Sequence, residues 1–180
     1  VTVHGLDWQR EKWGKLASWV LKQCEYPAAH FADRTIVVSK TLRDYFRDHH
    51  RCNAAYIPNG THLPTPRPAR KIHSLGLTPG KYVLFVGRHE PRKGLLDLLK
   101  AHRILRKTGS GSRLLVVGSG PQEREARRYV ATRGLQGVEF LGRVSDAQKA
   151  QLFRTADVYA SPATGGESFG IVLLESMAAG

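Results

Sequence analysis

Short apolar runs alternate with amphipathic stretches along the first third of the chain. Residues 1–4, 35–39 and 54–57 are rich in β-branched and apolar side chains, a composition that favours short buried strands. Between the first two runs, we predict one long helix over residues 7–31, which carries Trp8, Trp13, Trp19 and Val20. Ser39 is a suitable N-cap for a further helix that runs to about residue 50. This region therefore predicts strands and helices in alternation.

The alternation resumes near residue 81 and continues to the end of the sequence. The predicted strands are 82–86, 113–117, 138–140 and 157–159, and the predicted helices are 93–107, 122–133, 146–155 and 171–179. Strands that are apolar throughout and are joined by helices form parallel sheets covered on both faces. The sequence therefore predicts an α/β fold class with parallel sheets.

A proline-rich stretch separates the two alternating regions. Residues 61–79 hold four of the nine prolines, several basic side chains and no apolar periodicity. Such a composition is typical of a linker between domains. We therefore predict a first domain over residues 1–62, a linker over 63–80 and a second domain over 81–180.

The formal net charge is +13, and most of the excess lies between residues 61 and 140. A basic patch of this kind attracts phosphates, which leaves a nucleotide diphosphate, an anionic membrane surface and nucleic acid as candidate partners. The basic stretch has no interleaved aromatic platform and no recognition-helix or RNA-binding motif, which argues against nucleic acid. The basic residues concerned include Arg88, Arg92, Lys93, Lys100, Arg103, Arg106 and Lys107.

Metal, redox and export signals are weak. Cys24 and Cys52 stand far apart without a zinc or redox spacing, and reduced thiols are expected. His49 and His50 are adjacent, so their side chains diverge on a helix and predict no metal site. The first residues show no basic region followed by an apolar signal core, and a cytoplasmic location is expected.

Loops at the predicted strand ends carry candidate binding groups. After the first strand of the second region, the loop GRHEPRKG places Arg88 and Lys93 near a helix start. After the next strand, Gly118 and Gly120 let a backbone come close to a ligand. This second loop is similar to half of a dinucleotide-binding fingerprint, with Glu139 as a ribose acceptor, so hydride transfer stays an alternative. However, Glu123 occupies the place of the third glycine.

The last fifteen residues contain two carboxylates in the run GESFGIVLLESMAAG. Glu167 lies in a glycine-flanked turn just before a predicted helix, whose unpaired N-terminal amides attract anionic or oxygen-rich ligands. The apolar run 171–179 predicts that this helix is buried. Glu175 lies about two turns into it, and the helix is otherwise uncharged. A carboxylate there is costly unless a partner satisfies it, so the two glutamates are candidate ligand-binding groups.

This run resembles the Glu-x7-Glu signature of retaining glycosyltransferases of the GT-B fold, family 4. The resemblance implies two Rossmann-like domains, of which this chain is a fragment. It implies that Glu167 binds hydroxyls of the donor sugar, that Glu175 binds the ribose, and that Arg88 and Lys93 hold the diphosphate. The other donor-site positions that it implies are Gly87, Gly118, Gly120, Val144, Ser168, Phe169, Gly170 and Ile171.

The run HGLDWQREKWGKLASWVLKQCE resembles bacterial family-4 enzymes that build surface polysaccharides, rhamnosyltransferases among them. His4, Asp7 and Trp8 are its candidate acceptor-side residues, while helix packing is the alternative for the tryptophans. The implied reaction is metal-independent sugar transfer, without a cofactor, from a UDP- or GDP-linked donor to a carbohydrate or lipid-linked acceptor. Peripheral contact with an anionic inner membrane face is also expected. The alternatives are a non-catalytic nucleotide-binding module and a basic nucleic-acid-binding protein.

Overall fold

The structure is a computed structural model that describes residues 1–9, 13–61, 76, 81–165 and 169–180. The predicted linker 63–80 therefore lies outside the described residues, except for residue 76. The described residues form two compact units. The first contains those of Val1–Gly60 and Gly166–Ile171, and the second contains those of Thr61–Gly165 and Val172–Gly180.

The first unit is built on a parallel three-stranded sheet. Its strands are β1 (Thr2–Val3), β2 (Ile36–Val37) and β3 (Ala55–Tyr56), in the order β1-β2-β3. Its core contains Val37, Val38, Leu42, Phe46 and Ala54. The predicted cap is confirmed, because the Ser39 hydroxyl accepts a hydrogen bond from the Leu42 amide at 3.2 Å, at the start of α3 (Lys40–His50).

The prediction of one helix over residues 7–31 is wrong. The structure has a 3₁₀ turn at Asp7–Gln9, then α1 (Lys15–Gln23) and α2 (Glu25–His30), with Cys24 at their junction. Pro27 explains the break, because it has no amide to donate to the carbonyl of Gln23 and its ring clashes with that carbonyl in a continuous helix.

The second unit contains a four-stranded parallel sheet. Its strands are β4 (Tyr82–Val86), β5 (Arg113–Val117), β6 (Val138–Gly142) and β7 (Val158–Tyr159), in the order β6-β5-β4-β7. Helices cover both faces, which confirms the predicted α/β class. They are α4 (Leu95–Lys107), α5 (Glu123–Thr132), α6 (Asp146–Thr155) and α7 (Ile171–Ala179).

Alternate residues of β5 supply two separate cores. Leu115 and Val117 face a cluster completed by Leu152 and Phe153 of α6. Leu114 and Val116 face the opposite cluster, which contains residues of α4 and α5. The strand period of two produces this division, because successive side chains point to opposite faces of the sheet.

Two predicted helices differ in the structure. A 3₁₀ turn, Pro91–Lys93, precedes α4, and Gly94 separates them with φ of +70°. The prediction that the last helix is buried is wrong, because Ile171, Leu173 and Met177 of α7 are exposed. In the described part of the chain, α7 packs through one side only, where Val172 and Ala179 contact the core.

None of the helices in the described part of the chain combines the length and the apolar surface that crossing a lipid bilayer requires.

Candidate functional site

Three strand ends of the second unit open onto one cleft of about 310 Å³. The carboxyl ends of β4, β5 and β6 meet here, which is where ligands bind in sheets of this type. The cleft brings together four predicted site residues, Gly87, Arg88, Gly118 and Val144. It also contains three charged residues that were not predicted from the sequence, Arg143, Asp146 and Lys149. Its lining residues are Val86, Gly87, Arg88, Val117, Gly118, Ser119, Arg143, Val144, Asp146 and Lys149.

The loops after β4 and β5 pack backbone against backbone. A Cβ placed on Gly118, whose φ is +119°, would collide with the carbonyl oxygen of Gly87. The His89 amide donates to the carbonyl of Ser119 at 3.1 Å, and the Gln122 amide donates to the carbonyl of His89 at 2.9 Å. Gly118, which was predicted to admit a ligand, therefore also admits the neighbouring loop. Gly120 admits that loop at His89 but is not among the residues that line the cleft. The two loops form one cleft wall.

Arg88 is held by an acidic neighbour. Nε of Arg88 lies 3.0 Å from Oε1 of Glu90, and Nε of Arg92 lies 3.0 Å from Oε2 of the same carboxylate. Burial alone would raise the pKa of Glu90, but its hydrogen bond with Arg92 and the charges of Arg92, Arg88 and Lys93 hold that pKa below its ordinary value. Glu90 stays ionised and orients Arg88, whose side chain is 71% exposed.

Lys93 lies on the 3₁₀ turn that precedes α4, outside the set of residues that line the cleft. The loop after β7 is attached to this turn, because the Thr164 amide donates to the carbonyl of Arg92 at 3.1 Å. Gly94 also admits the backbone of Pro162, which a Cβ at position 94 would strike. The β7 exit loop and the Lys93 turn therefore form one connected segment.

Glu175 has the partner that its position in an uncharged helix required. Lys149 Nζ lies 2.8 Å from Glu175 Oε1 and 3.2 Å from Asp146 Oδ1. The side chains of Lys149 and Glu175 are each 23% exposed. Burial would lower the pKa of Lys149, but its hydrogen bonds to Glu175 and Asp146 outweigh burial and raise it. This pair attaches α7 to the helix that borders the cleft.

The remaining donor-site predictions concern the start of α7. Glu167 and Ser168 lie outside the described residues. Phe169 packs against the core of the first unit, Gly170 has a φ of +76°, and Ile171 begins the helix. The predicted position of this helix start is therefore confirmed.

The acceptor-side candidates lie in the first unit, where Trp8 belongs to a partly buried hydrogen-bond network around Glu25. Its indole N–H donates to Oε1 of Glu25 at 2.5 Å, and the hydroxyl of Tyr45 donates to Oε2 at 2.8 Å. Nε2 of His50 lies 3.0 Å from the same Oε2. Glu25 is 8% exposed, so this network satisfies a buried carboxylate. Glu25 could not be predicted from the sequence, because its partners are distant in the chain.

His4 and Asp7 are exposed, and so are two of the three tryptophans. Trp13 is 40% and Trp19 is 61% exposed, so packing within the described residues does not bury them. Across the described segments, no three His, Cys, Asp or Glu side chains are grouped as metal ligands.

Two family descriptions match the chain, and together they cover most of it. Residues 70–180 match the family described as Glycosyl transferases group 1, and residues 1–65 match Glycosyltransferase Family 4. The chain is similar to the phosphatidyl-myo-inositol mannosyltransferase of Mycobacterium tuberculosis, with 42% identity over 146 residues. That alignment covers 81% of this chain and 38% of the mannosyltransferase, so the chain spans well under half of that relative.

Two solved structures share the fold of this chain. HepE of Anabaena, in complex with UDP and glucose, superposes with a TM-score of 0.79 at 23% identity, over 99% of this chain and 50% of HepE. The sucrose-phosphate synthase of Thermosynechococcus elongatus superposes with a TM-score of 0.77 at 30% identity, over 99% of this chain and 47% of the synthase.

Proposed function

The chain belongs to the group 1 glycosyltransferases of the GT-B fold, and on that premise we propose that its full-length protein transfers a sugar from a nucleotide diphosphate-sugar to an acceptor hydroxyl with retention. One observation carries the proposal: Arg88 and Val144 line a single cleft at the strand ends, and the Lys149 that lines the same cleft holds Glu175.

The leaving group determines what the cleft has to do. When the bond between the anomeric carbon and the diphosphate oxygen breaks, its electron pair goes to that oxygen, and Arg88 and Lys93 stabilise the resulting charge. The acceptor oxygen bonds to the same face of the anomeric carbon, and its proton passes to the departing phosphate oxygen. Because two cations neutralise the diphosphate, no metal is required.

Four further residues or groups have assigned roles in this proposal. The backbone at Val144 meets the nucleobase, and Glu175 binds the ribose hydroxyls. Glu167 hydrogen-bonds the donor sugar and is not a general base, which differs from hydrolases with two catalytic carboxylates. The amides at the start of α7, around Gly170, approach the sugar and diphosphate.

We further propose a lipid-linked or carbohydrate acceptor in bacterial glycolipid or surface polysaccharide synthesis, used at the inner face of the cell membrane. The mannosyltransferase relative is named for a phosphatidyl-myo-inositol substrate, which supports a lipid acceptor. Along α4, Ile104 is 64% and Leu105 is 40% exposed, among the basic residues Lys100, Arg103 and Lys107. Apolar side chains beside basic ones complement an anionic membrane surface.

Calorimetric titration of the full-length protein with UDP and GDP tests the donor site. We expect one nucleotide to bind, and Arg88→Ala, Lys93→Ala and Glu175→Ala each to weaken binding by on the order of tenfold. Arg128→Ala, which removes an exposed arginine of α5, is the matched control and keeps wild-type affinity. Failure of the folded protein to bind either nucleotide would contradict the proposal.

Turnover separates an enzyme from a non-catalytic nucleotide-binding module. Release of the nucleoside diphosphate in the presence of membrane extract or acceptor, unaffected by a chelator, supports metal-independent transfer. The anomeric coupling constant of the product tests retention. Nucleotide binding without transfer to any acceptor supports the binding module.

Vesicle binding tests the membrane contact. Charge reversal at Lys100, Arg103 and Lys107 is expected to reduce binding to vesicles with anionic lipids. Arg106 is left unchanged because its guanidinium donates to the carbonyl of Ser110 and holds the end of α4. Unchanged binding in the triple variant would remove the membrane proposal and leave the donor site unaffected.

A further inference from the structure

We propose that Lys149 is a positioning residue of the nucleotide site, which acts by fixing the orientation of Glu175 so that its carboxylate meets the two ribose hydroxyls. The inference rests on the proposed function, because it assigns a role to a neighbour of the ribose-binding group. It adds a residue on a different helix, 26 positions from Glu175 in the chain.

The start of α6 holds Lys149 in place. The Ser145 hydroxyl accepts from the Gln148 amide at 3.3 Å, and the Gln148 side chain accepts from the Ser145 amide at 3.0 Å, which completes a capping box. Lys149 follows directly on this rigid first turn. Its ammonium group lies between Asp146 and Glu175, and these two contacts restrict a side chain that otherwise has many rotamers.

The lysine leaves Glu175 able to bind a diol. A carboxylate has about four acceptor positions on its two oxygens. Lys149 uses one of them, at Oε1. Among the residues that the structure describes, no other side chain is recorded on this carboxylate, which leaves positions for two adjacent hydroxyl donors. A carboxylate that is already oriented loses less conformational entropy when the ribose binds, and this is how the pair increases affinity.

A competing explanation is that Lys149 contacts the nucleotide directly, since it lines the cleft. The two explanations predict different energetic coupling between Lys149 and Glu175. A residue that acts through Glu175 loses its effect when Glu175 cannot bind the ribose, whereas a direct contact contributes independently of Glu175.

The experiment is a double-mutant cycle on the full-length protein, with binding measured by calorimetry. The variants are Lys149→Met, which keeps the aliphatic chain and removes the charge, Glu175→Gln, and the double variant. Each is titrated with whichever of UDP or GDP the wild type binds, and with the 2′,3′-dideoxy form of that nucleotide.

We expect Lys149→Met to weaken binding of the ribonucleotide by about tenfold and of the dideoxy nucleotide by less than about twofold. In the Glu175→Gln background, Lys149→Met is expected to have no further effect. Lys149→Arg keeps the charge and the hydrogen bond, and is expected to restore binding to within about threefold of wild type.

Four results would overturn the proposal. An equal loss for both nucleotides, or the same loss in the Glu175→Gln background, would show direct contact with the ligand. Full affinity of Lys149→Met would show that the pair only holds two helices together. Failure of the folded wild type to bind any nucleoside diphosphate would overturn the proposed function and this inference together. Circular dichroism of each variant identifies loss of folding.

Discussion

Nδ1 of His89 lies 3.7 Å from Oε2 of Glu123, in a position where the histidine is fully buried. Neither ring nitrogen makes a hydrogen bond of good geometry with the residues that the structure describes. Burial lowers the pKa of His89, and the positive charge of Arg127 lowers it further. The Glu123 carboxylate and a weaker interaction with the Val117 backbone offset this only partly. The imidazole is therefore neutral in the folded protein, beneath the two joined loops of the cleft.

Acid is expected to destabilise the fold through His89. Its folded-state pKa is below the ordinary value of 6.5, so the unfolded chain takes up the proton first. Stability is therefore full above about pH 6.5 and falls as the pH drops toward the lowered pKa. His89→Leu should lose less thermal stability than wild type between pH 7.5 and 5.5, as measured by scanning calorimetry.

His102 contributes a background to that measurement, because burial lowers its pKa also. The informative quantity is therefore the difference between His89→Leu and wild type at each pH. A difference that does not change between pH 7.5 and 5.5 would show that His89 does not control the acid sensitivity.

Replacement of Gly120 by alanine is expected to damage both the fold and the nucleotide site. The added Cβ would lie 2.6 Å from the carbonyl oxygen and 2.7 Å from the amide nitrogen of His89. The loop after β4 is hydrogen-bonded to the loop after β5, so the backbone of His89 cannot move aside without breaking these bonds. We therefore expect the free energy of unfolding to fall by about 2–3 kcal/mol and UDP or GDP binding to weaken.

Gly111 provides the matched control. An added Cβ there meets nothing within 4 Å and Gly111 does not have a positive φ, so Gly111→Ala should be nearly neutral. Chemical denaturation and calorimetric titration of both variants give the comparison. Equal behaviour of the two alanine variants would show that the loops can separate without cost.

Periodicity was enough to predict the strands, most helices and the strand-end location of the cleft, because these depend on local patterns. Pro27 was visible in the sequence and should have ended the predicted helix 7–31. The roles of Gly118 and Gly120 were only half predictable. Glycine at these positions indicates that another backbone segment comes close. Which loop that is depends on the order of the strands in the sheet.

The partners of the charged groups could not be predicted for a related reason. Lys149 meets Glu175, and Glu25 meets Trp8, only after helices distant in the chain have packed together. Periodicity assigns a residue to a helix, and the partner it meets depends on how that helix is rotated and placed. Glu90 differs from these residues, because its partners are close in the chain. A single acidic residue within a basic loop indicates a local ion pair.

Glu25→Gln is expected to destabilise the first unit strongly. The carboxylate accepts from Trp8 and Tyr45 and contacts His50, and an amide would turn an N–H group toward one of these donors. Loss of a buried, multiply bonded carboxylate costs about 3 kcal/mol. Denaturant unfolding followed by tryptophan fluorescence measures this loss.

Asp48→Asn is the control, because Asp48 pairs with Arg47 at the surface. Exposed ion pairs contribute about 0–1 kcal/mol, so this variant should unfold close to wild type. Similar losses for Glu25→Gln and Asp48→Asn would show that the network around Glu25 adds no more than a surface pair.

Tyr45 should remain protonated well above the pH at which exposed tyrosines ionise. Burial, the hydrogen bond to Glu25 and the negative charge of Glu25 raise the pKa of Tyr45 to about 12. Because the folded-state pKa is raised, this contribution to stability is fully present below about pH 10 and is lost as the pH rises toward about 12.

The absorbance difference at about 295 nm between wild type and Tyr45→Phe is therefore expected to stay near zero at pH 10.5, where circular dichroism verifies the fold. Phenylalanine keeps the ring that packs against Phe46 and His49, so the difference isolates the phenol. A difference curve with its midpoint near pH 10 in the folded protein would contradict the hydrogen bond from Tyr45 to Glu25.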